Sequence, residues 1–315
     1  MPYDRLGFPI PPEFVPPADE PASPRSRGGP TRRGTAPGAG GLKRMLLAAV
    51  VAGIVGPAVL APIAVPAARD AVVAWSAERA VARESRGQLA AAIREVSRAI
   101  QWAGDDAERR CGLLCWRAML RLEHRDASGA VADAGRAQEI LPTSSRPLRV
   151  RALAQVVLGR PDDALADAAA AAALARPGDP EALNHRAYVR ALVGRELPEA
   201  LADIEAALAG GDATVPELLD TKGFLLHLLG RHHEAIDQLN LAIDGARDGR
   251  RQMAALGGGE SDDEVRRRLR SIDQGLAVML HHRGLACRAA GLEGQAEQDL
   301  ELARRQGFAP DRGIF

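Results

Sequence analysis

Aromatic side chains are scarce, at 3% of 315 residues. A core with so few rings must be filled by aliphatic residues and alanine, and alanine is both the best helix former and small enough to let helices approach closely. Alternating β-branched residues are rare in the second half, so almost no sheet is expected. Cysteine is limited to three. Cys111 and Cys115 lie four apart on a predicted helix, where disulfide geometry is poor, and Cys287 is distant. That count and spacing argue against a disulfide framework and a metal knuckle, leaving three free thiols. No charge of one sign dominates: 41 basic and 41 acidic residues cancel. The chain as a whole has no pull toward nucleic acid, and no nucleic-acid partner is expected.

Motifs that carry chemistry are missing as well. The glycines at 257–259 are not followed by Lys-Ser/Thr and follow no strand, so they do not form a phosphate loop. No HExxH or EF-hand loop occurs. His232-His233 and His281-His282 are adjacent pairs, and neighbours on a helix point about 100° apart, a poor arrangement for one ion. Cys115 and Cys287 have no local activating base. No catalytic residue, metal or cofactor is expected, and the chain reads as a non-enzyme.

What is present falls into blocks. Hydrophobic residues make up 46% and charged residues 26%, enough for a packed core in one or two domains. Residues 1–42 are rich in Pro, Gly, Ser and Arg and read as a disordered tail. Residues 43–68 read as a transmembrane helix: Met45 to Ala68 is 24 residues without a charge, against about 20 needed to cross the hydrocarbon core. Lys43 and Arg44 precede it, which predicts a single-pass membrane protein with a cytoplasmic N-terminus and the remainder outside. The alternative is a cleaved segment and an exported protein, since Val65-Pro66-Ala67 suits a peptidase, although the basic region ahead is long for a signal peptide.

From residue 71 to 310 the sequence repeats. Small residues recur as Ala80, Gly87, Ala92 and Ala99; Ala118, Ala130 and Ala137; Ala152, Gly159, Ala164 and Ala171; Ala187, Gly194, Ala200 and Ala207; Gly223, Gly230, Ala235 and Ala242; Gly284, Gly291, Ala296 and Ala303. The period is close to 34. Each unit is predicted to be two helices joined by a tight turn, with the small residues letting the backbones meet and stacking burying the apolar face that one pair leaves open. Arg117, Arg151, Arg186, Lys222 and Arg283 precede the first small residue, and Asp133, Asp167, Asp203 and Asp299 lie three after the second. These rows are expected to pair within or between units.

One interval is too long. Ala235 to Ala296 is 61 residues, and the insert at about 250–276 is predicted to form a helical hairpin projecting from the solenoid, with Gly257 to Glu260 near its tip. Ser261 and Glu264 form a capping box there. Its arms carry Arg247, Arg250 and Arg251, and Arg266, Arg267, Arg268 and Arg270. The reading for these is a solvated face or contact with an acidic partner or lipid head groups.

A period of 34 with small residues at these places resembles the tetratricopeptide repeat family, here of a membrane-anchored bacterial type. The family's helix-one tryptophan position holds Ser76, Leu114, Leu148, Leu183, Leu219 and Leu280 instead. The resemblance implies an all-α superhelix of about six hairpins that binds a protein or peptide in a concave groove. Carried over by repeat position, that groove holds Arg149, Asn184, Tyr188, Asp220, Phe224, His227 and His281, with Arg146 and Arg288 beside them. The Lys/Asn clamp for a C-terminal carboxylate is not matched. The function implied is a membrane-anchored interaction scaffold. The alternatives are an exported protein with the same binding role, or an enzyme-accessory subunit.

Overall fold

The computed structural model describes residues 67–210, 215–255 and 262–308. Among them are twelve helices: α1 (67–84), α2 (Leu89–Trp102), α3 (Ala107–Glu123), α4 (Ala127–Ile140), α5 (Arg146–Val157), α6 (Pro161–Leu174), α7 (Pro180–Val193), α8 (Leu197–Gly210), α9 (Pro216–Leu228), α10 (His232–Ala255), α11 (Asp262–Ala289) and α12 (Glu293–Arg305). Local sequence explains where they start. Asp106, Asp126 and Asp179 accept from the backbone N–H three residues on, at 2.9, 2.9 and 3.0 Å, satisfying donors that a helix N-terminus leaves open. Proline occupies the first turn of α5, α6, α7 and α9, where its missing N–H costs nothing.

The helices pair in order, and each pair stacks on the next. The odd-numbered helices from α3 to α11 also touch one another in succession, so they form one continuous wall, with the even-numbered helices behind. The core is a chain of overlapping aliphatic clusters along the array, as expected for a solenoid in which each unit meets only its neighbours. At the crossing of each pair the recurring alanines are fully buried, among them Ala80, Ala118, Ala152 and Ala187. Where glycine replaces alanine, a leucine fills the space. A Cβ on Gly223 would lie 2.5 Å from Leu239 Cγ, and one on Gly284 2.7 Å from Leu300 Cγ. Ala118 and Ala152 are matched at the same spacing by Ala134 and Ala168.

The charged rows pair within each hairpin. Arg117 donates from Nε and Nη2 to Asp133, Arg151 to Asp167, Arg186 to Asp203 and Arg283 to Asp299, all at 2.6–2.8 Å. The aspartate holds each of the guanidiniums Arg151, Arg186 and Arg283 above its usual pKa, by hydrogen bond first and charge second. The first hairpin uses a glutamate in the same place, Arg79 Nε to Glu95 at 3.1 Å. The fifth has Gln238 there, and Lys222 turns back to Glu205 of the preceding hairpin at 3.7 Å.

The expected membrane anchor is corrected. Among the described residues no helix is long and apolar enough to cross a membrane, so the transmembrane element of the expected fold and the single-pass placement that followed from it are not supported. Residues 43–66 lie outside the described residues, as do the 1–42 tail and 311–315. Ala67 and Ala68 are exposed and open α1, an amphipathic helix whose Val73 and Ala80 pack into the first core cluster with Ala92 and Val96. The architecture is an all-α solenoid.

The helices flanking the long interval have 24 and 28 residues, against 12–17 for α2 to α9; residues 256–261 between them lie outside the described residues. Arg250 on α10 pairs with Asp273 on α11 at 2.5 Å. This extension does not stand clear of the solenoid. Arg270 Nη1 donates to the Glu84 carbonyl at 2.6 Å, which ties the extension to the C-terminal end of α1, where a cation complements the helix dipole. Ser85, Arg266, Leu269 and Gln306 line a cavity of about 480 Å³ at this junction.

Candidate functional site: the inner wall of α5, α7, α9 and α11

Repeat spacing puts equivalent residues in rows along the wall. Three residues before the small position stand Arg149, Asn184, Asp220 and His281; one residue after it stand Leu153, Tyr188, Phe224 and Leu285. The predicted groove residues thus lie on consecutive, mutually packed helices. They differ in accessibility. Arg149 and Asp220 are buried, whereas Asn184, Tyr188, Phe224, His227 and His281 are half-buried.

The buried ones hold neighbouring units together. His282 Nδ1 donates to Asp220 Oδ1 at 2.9 Å, and its ring stacks on Phe224 at 4.1 Å and 8°. His282 is itself buried. Asp220, Phe224 and His282 therefore bind α9 to α11 through one hydrogen bond and one ring face. His185, two residues before its small position like His282, bridges α7 to α5 in the same way: Nε2 donates to the Arg149 carbonyl at 3.1 Å. Burial, helped by the Arg149 charge, pulls the His185 pKa down to about 3. Trp116 holds the same repeat position and donates from Nε1 to Glu84 at 3.1 Å. None of these three belongs to the predicted set, yet their shared place in the repeat is visible in the sequence.

Other groups are more open. Tyr188 packs against the second and third hairpins; burial first and the Asp220 charge second raise its phenol pKa. Arg149 Nη1 reaches Glu181 at 3.4 Å. His227 meets His232 across the turn between α9 and α10, Nδ1 to Nδ1 at 3.2 Å, and burial, with His232 second, lowers its pKa. His281 stacks on Phe308 at 4.2 Å; burial and then His282 pull its pKa to about 4. Arg288 is exposed at the far end of α11. Glu217, absent from the predicted set, is exposed on the first turn of α9. Desolvation raises its carboxyl above the usual range, and Asp220 adds to this. Among the described residues no three His, Cys, Asp or Glu gather in a way that could hold a metal.

Stacked two-helix units of about 34 residues, crossing at small residues and lining one wall with their first helices, decide the architecture. The fold is a tetratricopeptide-repeat solenoid. No family model and no curated protein matches the chain. Solved structures are similar to this tetratricopeptide solenoid at low identity. One is a thermophilic tetratricopeptide protein of Thermus thermophilus, at 23% identity and TM-score 0.47, covering 62% of this chain and 95% of that one. Another is from Parabacteroides merdae, at 16% and 0.44, covering 75% and 94%. A third is YrrB, a tetratricopeptide protein with an unusual peptide-binding site, at 20% and 0.38, covering 54% and 84%.

Proposed function

We propose that this solenoid is an interaction scaffold that holds a protein or peptide partner on the inner wall formed by α5, α7, α9 and α11. Asn184, Tyr188, Phe224, His227 and His281 are its partner-facing set, backed by Arg149 and Asp220. Tyr188 and Phe224 carry the reading. The row they occupy is otherwise aliphatic, with Leu153 and Leu285 on either side, and both rings pack against the core on one side while keeping part of their surface exposed. Two aromatics on adjacent helices of a concave wall are natural anchors for a bound side chain. The buried Arg149 and Asp220 act by fixing the wall that presents them. Such a scaffold positions a partner and performs no chemistry on it.

The test is selection from a displayed peptide library on the full chain, followed by titration of the selected peptides. Tyr188→Ala with Phe224→Ala is expected to weaken them about tenfold or more, in line with losses at aromatic anchors. Circular dichroism on the same variant monitors folding. Unchanged affinity in a folded variant contradicts the reading.

A further inference from the structure

We propose that His227 and His232 together bind one zinc ion through their Nδ1 atoms at the turn between α9 and α10, with water filling its remaining positions. The site does not depend on what the inner wall receives.

The turn builds the pair. His227 lies in the last turn of α9, and His232 opens α10. Between them Gly230 takes a φ of 79°, which glycine adopts at no steric cost. The Gly230 N–H donates to the His227 carbonyl at 3.0 Å, and the Arg231 N–H donates to the Leu226 carbonyl at 2.9 Å. These bonds fix the backbone on both sides, so the imidazoles meet before an ion arrives and little ordering is left for it to impose. Nothing in the repeat requires them. The equivalent positions hold Leu122 and Ala127, Val156 and Pro161, and Arg288 and Glu293.

The spacing suits a shared ion. Nδ1 stands 3.2 Å from Nδ1, and the ring centroids are 5.1 Å apart with the planes at 48°. Two imidazole nitrogens at zinc-bond length on one tetrahedral ion stand about 3.3 Å apart, with centroids about 5.2 Å apart. A straight N–H···N bond of the observed length puts the centroids about 5.5 Å apart, so the pair is bent from the alignment such a bond prefers. With both protons on Nε2, each Nδ1 has a lone pair for the ion. Imidazole suits zinc, and both rings are half-buried, so water can complete the shell. Arg231, the cation between them in sequence, is held by Glu234 at 2.6 and 2.7 Å. No third His, Cys, Asp or Glu joins the pair among the described residues, so the ion is held less tightly than in a four-ligand structural site.

The test titrates zinc chloride into the chelator-treated full chain by calorimetry and follows the melting temperature. One zinc per chain is expected, and the melting temperature rises with zinc because the ion joins α9 to α10 only in the fold. His227→Gln and His232→Gln are each expected to weaken binding about tenfold or more and to abolish the rise, as losing one of two ligands predicts. His233→Gln, which removes the exposed neighbour, is expected to leave both in place. Circular dichroism monitors the folding of each variant. No binding by the folded wild type up to about 1 mM zinc, binding that survives both His227→Gln and His232→Gln, or loss of the site with His233→Gln overturns the inference.

Discussion

Arg117 and Asp133, sixteen residues apart, lock the two helices of one hairpin through bonds of 2.7 and 2.6 Å. Asp133 is 1% exposed and also receives Arg121 at 3.0 Å. Removing the carboxylate leaves the largely buried Arg117 guanidinium without its counter-charge, while Arg121 keeps Asp126 and the Gly129 carbonyl. Asp133→Ala is expected to cost about 3–5 kcal/mol, the usual loss on breaking a buried pair. Asp162→Ala, which removes the partner of half-exposed Arg195, is expected to cost less than about 1 kcal/mol. Urea unfolding of both variants checks this; similar losses contradict it.

Gly223 and Leu239 form a size-matched pair. Because a Cβ at 223 meets the branch point of Leu239 at 2.5 Å, Gly223→Ala is expected to cost about 1–3 kcal/mol through overpacking. Adding Leu239→Ala recreates the Ala–Ala match found at Ala118 and Ala134. The double variant is expected to be more stable than the sum of the two single changes by about 1 kcal/mol or more, a coupling that contacting residues allow. Strict additivity contradicts the match.

Arg125 holds the turn position that glycine holds in the other five hairpins, with φ of 65°. A side chain there is strained, and Arg125→Gly relieves it. An increase in stability of about 1 kcal/mol is expected, since left-handed backbone costs about that much for a residue with a Cβ. A lower melting temperature contradicts this.

His185 makes stability depend on pH. In the fold its pKa is about 3, from an ordinary value of 6.5. Below 6.5 the unfolded chain takes a proton that the fold refuses. This contribution is therefore complete above about pH 6.5 and falls as pH drops toward 3, at a slope approaching about 1.4 kcal/mol per pH unit. Between pH 7 and pH 5, wild type is expected to lose about 2 kcal/mol more than His185→Gln. Parallel pH profiles contradict it.

The repeat is legible in the sequence because steric demands recur: a small residue at every crossing, and a cation with a carboxylate sixteen or, in the fourth hairpin, seventeen residues on. Glu95 falls outside the aspartate row, although this longer acid still reaches Arg79 through one bond of 3.1 Å. Lys222 breaks the rule because its partner position is Gln238. The contact from Arg270 to Glu84 spans 186 residues, and no local pattern encodes where a solenoid's curvature brings an extension. The candidate site is legible as rows but not as burial. Spacing puts Asp220 and Phe224 on the inner wall, while their engagement with His282 depends on how α9 and α11 pack. The apolar run before residue 67 reads as a membrane span from hydropathy alone, and among the described residues no helix long and apolar enough to cross a membrane stands for it.

Site-specific photo-crosslinking tests the central claim, that the partner lies on the inner wall. A benzophenone amino acid replaces Tyr188 on α7 in one protein and Leu241, 56% exposed on α10, in another, each mixed with the same library-selected peptide. The account predicts a peptide adduct at position 188 and none at 241. An adduct at 241 with none at 188 contradicts it.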